Sequence, residues 1–155
     1  MSTLSWNCRG LGLPRTVQVL SELVKHKKPS FIFLMETLSC RAPLENLKNK
    51  LGYEGLFVVD RVGQSGGLTL FWQSQFKVKL LKYGRTFIDV EVLSSEMGVW
   101  RVTCYYGYLE SSRRCDSWNL LRRLASFSTL PWVCLGDFND LLDSSKKNGS
   151  RPHAF

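Results

Sequence analysis

The chain has 155 residues, 44% hydrophobic and 22% charged, which fits one domain with a buried core and excludes wholesale disorder. Its 21 Lys and Arg against 13 Asp and Glu leave a formal net charge of +8, a balance that attracts polyanions and makes nucleic acid a candidate partner, with a lysine-rich soluble domain as the plainer alternative. The longest apolar run, Phe31 to Met35, is five residues, against about 20 for a membrane span.

The opening MSTLSWNCRG lacks the basic start and long apolar stretch of a secretory signal. Cys8, Cys40, Cys104, Cys115 and Cys134 follow no disulfide or zinc spacing and read as reduced thiols of an intracellular protein. Thr3 to Asn7 reads as a strand, stopped at Asn7 by the loop of Gly10 and Gly12. Pro14 opens a helix whose Val17, Leu20, Leu23 and Val24 recur at helical spacing up to His26, and Pro29 ends it. Phe31 to Met35 is a buried strand ending at Glu36. A second helix is expected over Pro43 to Leu51, closed by Gly52.

The middle is β-rich. Leu56 to Asp60, Gly67 to Trp72, Phe76 to Tyr83, Thr86 to Leu93 and Trp100 to Tyr106 read as consecutive antiparallel strands. Arg113 to Phe127 returns to helix, with Trp118, Leu121, Leu124 and Ala125 on one face. Trp132 to Gly136 is a further buried strand, ending at Asp137. Residues 1–142 then form one domain and 143–155 a basic polar tail. The order predicts an α/β (α+β) architecture with right-handed crossovers, and sites in such sheets lie beyond the carboxyl ends of strands.

Three of the predicted strands end in oxygen-bearing side chains: Asn7, Glu36, and Asp137 with Asn139. Asp137 and Asn139 are two apart, so an extended backbone would point both the same way. If the strands are neighbours, these residues meet at one edge of one sheet, an oxygen donor set suited to a hard cation such as Mg²⁺. The plainer alternative is that Asn7 and the GDFN residues are turn residues. Glu36 resists it, because an acid ending an apolar run must be solvated, paired or metal-bound. No P-loop and no nucleophile elbow occurs. Trp72, Trp100, Trp118 and Trp132 read as core, and Gly66 and Gly67 as a close backbone approach entering a strand.

LSWNCRGLG (Leu4 to Gly12), FLMET (Phe33 to Thr37), SGGLTLFW (Ser65 to Trp72), CYYGY (Cys104 to Tyr108), RRCDSWNLLRRL (Arg113 to Leu124) and PWVCLGDFNDLL (Pro131 to Leu142) occur in register. Together they resemble the endonuclease domain of plant LINE-type (non-LTR) retrotransposons, within the endonuclease/exonuclease/phosphatase superfamily. The resemblance implies a DNase I-like four-layer sandwich: two packed sheets flanked by helices. It implies Asn7 and Glu36 as ligands of Mg²⁺ (or Mn²⁺) and Asp137 as the residue that orients or deprotonates water. Asn139 would position the water and the scissile phosphate, and Tyr106, with Tyr105 as the alternative, would contact the phosphate. Trp6 would pack under the site. DNA would be the partner and phosphodiester hydrolysis the reaction, in an intracellular, nuclear setting.

The chain also departs from the pattern. Leu109 stands where the family has proline, and Lys146 where it has an acid. The family's later catalytic Asp and terminal Asp-His pair have no counterpart before Phe155; His153 reads as tail, and His26 as a partner of a helix dipole. The expectation is therefore a domain incomplete at its C-terminus, an endonuclease by descent with little or no activity alone. A non-catalytic remnant and a basic nucleic-acid-binding module are the alternatives.

Overall fold

The computed structural model describes residues 1–63 and 65–140; the expected tail, with Lys146 and His153, lies outside them. The described elements run β1 (Thr3–Asn7), α1 (Pro14–Lys27), β2 (Phe31–Met35), α2 (Arg41–Leu51), β3 (Gly55–Val59), β4 (Leu68–Trp72), β5 (Lys77–Gly84), β6 (Phe87–Ser94), β7 (Gly98–Tyr106), a 3₁₀ turn (Ser111–Arg113), α3 (Arg114–Ala125) and β8 (Trp132–Asp137).

Pro14 fills the first turn of α1, where a missing N–H costs nothing. Lys25, His26 and Lys27 occupy its last turn, where cations meet the carbonyl end of the helix. Gly52, at a φ of 78°, closes α2. The third helix is three residues shorter than the sequence pattern predicts: Arg113 belongs to the separate 3₁₀ turn Ser111–Arg113, and the helix ends at Ala125.

The strands form two four-stranded sheets, in the orders β1-β2-β4-β3 and β5-β6-β7-β8. Each sheet carries one parallel pair at an edge: β1 with β2, joined through α1, and β7 with β8, joined through α3. All other pairs are antiparallel. The single meander expected from sequence is thus two pieces. The chain changes sheets between β4 and β5, across the short segment that begins at Gln73.

Strand alternation builds the layers. On β2, Phe31, Phe33 and Met35, with Leu68 and Leu70 of neighbouring β4, face the other sheet, where Ile88, Val90, Val92, Trp100 and Val102 complete the central core. Ile32 and Leu34 face the opposite way, onto Leu20 and Val24 of α1 and Leu44 and Leu47 of α2. Phe87 and Tyr105 pack on Leu121 and Leu124 of α3. The result is helix, sheet, sheet, helix: the DNase I-like sandwich. Trp100 is buried in the central core, and Trp72, Trp118 and Trp132 pack against core clusters.

Beneath α3 lies a polar network that the sequence pattern does not announce. Arg101 and Asp89 are both 1% exposed and form a two-pronged ion pair, Nε to Oδ1 at 2.9 Å and Nη2 to Oδ2 at 2.8 Å. Arg101 Nη1 donates to the Leu124 carbonyl at 2.7 Å, tying the end of α3 to β7. Thr103 Oγ1 donates to Asp89 Oδ1 and accepts from Trp132 Nε1, each at 2.8 Å. Every branch of the guanidinium and both carboxylate oxygens are thereby engaged, the condition under which a charge can be buried.

The five cysteines are all free thiols. Burial pushes the Cys8 thiol up to about 11 and Cys134 to about 12, so both stay protonated at neutral pH.

Candidate active site

The parallel edge strands β1 and β8 lie against each other across the sandwich. Their carboxyl ends therefore open on one cleft. Ser5, Trp6, Asn7, Met35 and residues Gly136 to Asp140 line it, and its volume is about 510 Å³. Asn7 and Glu36 come from the first sheet and Asp137 from the second. The expectation of a single sheet edge is corrected: the residues meet across two stacked sheets, because the chain changes sheets after β4. Trp6 lines this cleft and packs against the cluster beneath α1.

Glu36 follows β2 at a φ of 53°, a conformation uncommon outside glycine. Backbone bonds on either side hold it: Gly10 N–H donates to the Glu36 carbonyl at 2.7 Å, and Thr37 N–H to the Gly67 carbonyl at 3.2 Å. Gly67, at a φ of 91°, is where the next strand passes the site; a Cβ there would collide with Thr37 Oγ1. Gly67 is a close backbone approach, as the sequence suggests, whereas a Cβ at Gly66 would meet open space. Strain kept at a polar residue in a cleft is itself a pointer to function.

The Glu36 carboxylate gathers its neighbours. Asn7 Nδ2 donates to Oε1 at 3.3 Å, and the Tyr106 hydroxyl donates to the same oxygen. Asn7 Oδ1 accepts the Arg9 N–H at 3.3 Å. Alternation along β7 separates the two candidate tyrosines: Tyr105 lies fully buried beneath α3 with its ring 5.5 Å from that of Phe138, whereas Tyr106 reaches Glu36.

Burial raises the Tyr106 phenol to about 12; the neighbouring Glu36 carboxylate adds to the shift, and hydrogen bonds with Asn7 and Asn139 oppose it. The phenol is thus a fixed donor at neutral pH. Its folded value lies above the ordinary tyrosine value near 10, so its contribution to stability is complete below pH ~10 and lost as pH rises through ~12. Ultraviolet difference titration of wild type against Tyr106→Phe should show one tyrosine ionising near pH 12 that the variant lacks; a difference centred near pH 10 would contradict the burial and the bond to Glu36.

Asp137 and Asn139 reach the cleft by a turn, which corrects the extended backbone expected from their spacing. Asn139 has a φ of 51° and its N–H donates to Asp137 Oδ1 at 3.1 Å. Its Nδ2 donates to the Gly107 carbonyl at 2.8 Å, and Gly107 N–H donates to the Asp137 carbonyl at 2.8 Å. Between them, Phe138 turns under α3 and stacks on Trp118, their centroids 6.0 Å apart. That pull leaves Asp137 and Asn139 on the cleft side. Asp140 continues the turn, accepting from Trp118 Nε1 at 2.9 Å and lying 3.7 Å from Arg114.

Gly107, which in CYYGY serves only to mark the tyrosine before it, is a positioning residue. A Cβ at this position would overlap the Phe138 carbonyl. Gly107→Ala is expected to push the Asp137–Asn139 turn away from β7 and to destabilise the chain by about 1–3 kcal/mol. A melting temperature within a degree of wild type would contradict this, each kcal/mol being worth about 2–4 °C at this chain length.

The donor set is all oxygen: the carboxylates of Glu36 and Asp137 and the amides of Asn7 and Asn139. Among the described residues no three His, Cys, Asp or Glu side chains cluster. Cys8, the nearby thiol, is occupied in donating to the Met35 carbonyl at 3.3 Å. Hard oxygen donors of mixed charge fit Mg²⁺ or Mn²⁺ rather than a thiolate-seeking metal.

Two stacked four-stranded sheets with polar residues at the paired carboxyl ends define the class of fold, and comparison with known proteins supplies the family. Residues 4–154 match the Endonuclease/Exonuclease/phosphatase family, to which the chain belongs. Enzymes of this family generally depend on a divalent metal. No curated protein matches the sequence. Similar solved structures include the human Nocturnin catalytic domain with bound sulfate, 19% identical with a TM-score of 0.61, matched over 90% of this chain and 64% of that one. D. rerio TDP2 complexed with a single-strand DNA product is 19% identical with a TM-score of 0.67, over 93% of this chain and 62% of that one. ANGEL2, a 2′,3′-cyclic phosphatase in complex with adenosine-2′,3′-vanadate, is 17% identical with a TM-score of 0.63, over 92% of this chain and 54% of that one. The chain therefore spans about two thirds or less of these three relatives. Among the described residues, no helix is long and apolar enough to cross a membrane.

Proposed function

We propose that this chain carries the active site of a metal-dependent phosphodiester hydrolase of the DNA endonuclease type, of the plant LINE-retrotransposon kind, working on nuclear DNA. The observation that carries the reading is the convergence of Asn7, Glu36, Tyr106, Asp137 and Asn139, drawn from both sheets, around the strand ends. Asn7 and Glu36 are the residues that would hold Mg²⁺ or Mn²⁺. When bound, the cation polarises the phosphoryl oxygen and stabilises the leaving oxyanion.

The protein's own groups supply the rest. Asp137 accepts a proton from the attacking water. Asn139, held by the Gly107 carbonyl, orients that water and the phosphate. Tyr106, protonated across the physiological range, donates to Glu36 and fixes its carboxylate. The +8 charge supports DNA as the polyanion, with binding that weakens as salt rises.

Supercoiled plasmid incubated with Mg²⁺ tests the reading. Little nicking is expected from this chain alone; what there is should require the cation and disappear in Asp137→Ala, since loss of a general base costs about 10²–10⁴-fold. Nicking that persists in EDTA, or is unchanged in Asp137→Ala, would contradict it.

A further inference from the structure

Glu36 and Tyr106 also line a second cleft, distinct from that of Asn7, Asp137 and Asn139. Its volume is about 440 Å³, and Gly66, Arg85, Tyr108 and Glu110 are among the other residues of its wall. We infer that this cleft is a subsite for one unpaired nucleotide beside the reacting phosphodiester, with Arg85 on its phosphate and Tyr108 under its base. The inference rests on the nuclease reading above and adds the form of the substrate.

A phosphodiester in a polymer arrives with a neighbour on each side. A cleft that shares Glu36 and Tyr106 with the reacting centre is where one neighbour must go. Its size falls within the range of sites that enclose small ligands, roughly 300–1,000 Å³. Arg85 lies between β5 and β6, is exposed, and makes no ion pair among the described residues. It is a cation ready for an anion.

Tyr108 is half-buried, and the Arg113 guanidinium covers its ring at 3.7 Å from the centroid. Asp116 holds that guanidinium in turn at 3.7 Å. A tyrosine fixed in this way is a preformed platform, and a base stacking on it gains dispersion with little further ordering. Glu36 and Glu110 confine the anion to the Arg85 side of the cleft. A base inside a duplex already has both faces covered, so only an unpaired or splayed-out base can stack on Tyr108.

Fluorescence anisotropy of the whole chain in EDTA tests the inference without cleavage. The probes are a labelled oligothymidylate of about 12 nucleotides, within the roughly 4–16 that single-strand sites cover, and a blunt duplex of equal length. Tyr108→Leu is expected to weaken the single strand by about 5–150-fold, the range for loss of one stacked base, and the duplex by less than about twofold. Tyr108→Phe, which keeps the ring, should bind as wild type does. Arg85→Gln should weaken both probes and reduce the single-strand salt slope by about 0.7.

Single-strand binding within about twofold of wild type in Tyr108→Leu, or equal losses on both probes, overturns the inference. So does a wild-type chain that binds no oligothymidylate. The nuclease reading is followed separately by the rise in melting temperature with Mn²⁺, which Tyr108→Leu should leave intact. If that rise is absent from wild type, the nuclease reading falls and this inference with it. An intact rise alongside unchanged oligonucleotide binding overturns the subsite alone.

Discussion

Glu36→Gln is expected to abolish the stabilisation of this chain by Mn²⁺ or Mg²⁺. A cation that binds only the folded chain stabilises it by about 2.7 kcal/mol at a hundredfold excess over Kd, equivalent to a rise of roughly 5–11 °C in melting temperature at this size. The effect hangs on Glu36 because its carboxylate is the charged partner around which Asn7 and Tyr106 are arranged. Glutamine keeps the shape of the side chain and removes the negative charge that a hard cation requires. The variant should melt near the wild-type temperature without cation and show no more than about a degree of change with it. A full cation-dependent rise in Glu36→Gln would place the cation elsewhere.

Arg101→Met is expected to be the most destabilising single change in the second sheet. It strips the partner from Asp89, a carboxylate 1% exposed, and frees the Leu124 carbonyl at the end of α3. Breaking a buried pair from one side costs about 3–5 kcal/mol, a large share of the ~5–15 kcal/mol that holds a typical domain folded. Urea unfolding should show the midpoint falling accordingly. The double change Arg101→Met with Asp89→Leu should recover much of the loss, since a well-packed apolar replacement removes both charges together. A loss below about 1 kcal/mol in Arg101→Met, or no recovery in the double variant, would contradict a mutually dependent pair.

How far the sequence could be read follows from what its patterns encode. A continuous apolar run is the mark of a strand buried on both faces, and Phe31–Met35 is one, with Glu36 conspicuous at its end. The LINE-endonuclease resemblance led to the four-layer sandwich, which period-two alternation builds. The change of sheet after β4 was not legible, because composition does not tell which partner a strand pairs with. One signal was present: β4 is LTLFW, buried almost throughout, whereas β5 is KVKLLKYG, with exposed lysines typical of an edge.

Asn7, Glu36, Asp137 and Asn139 follow from the ends of their strands and Tyr106 from the resemblance, but the turn at Asp137–Asn139 stands in the sequence as an alternative to a site rather than as the way both residues reach one. Two residues after a strand can remain extended or turn, and the outcome depends on Phe138 finding Trp118 and Tyr105. The Asp89–Arg101 pair had a signal too, a charge of each sign within apolar strands, FIDVEV and VWRVTCYY. Such residues more often face solvent, and only the packing of α3 over them decides otherwise.

The central claim is that strand ends from two sheets make one divalent-cation site. Crystals of this chain soaked in Mn²⁺ and examined by anomalous diffraction test it most directly. An anomalous peak is expected beside Glu36 and Asn7, absent from Glu36→Gln crystals soaked in the same way. A saturating soak that leaves those residues bare, or that places the manganese away from them, would contradict it.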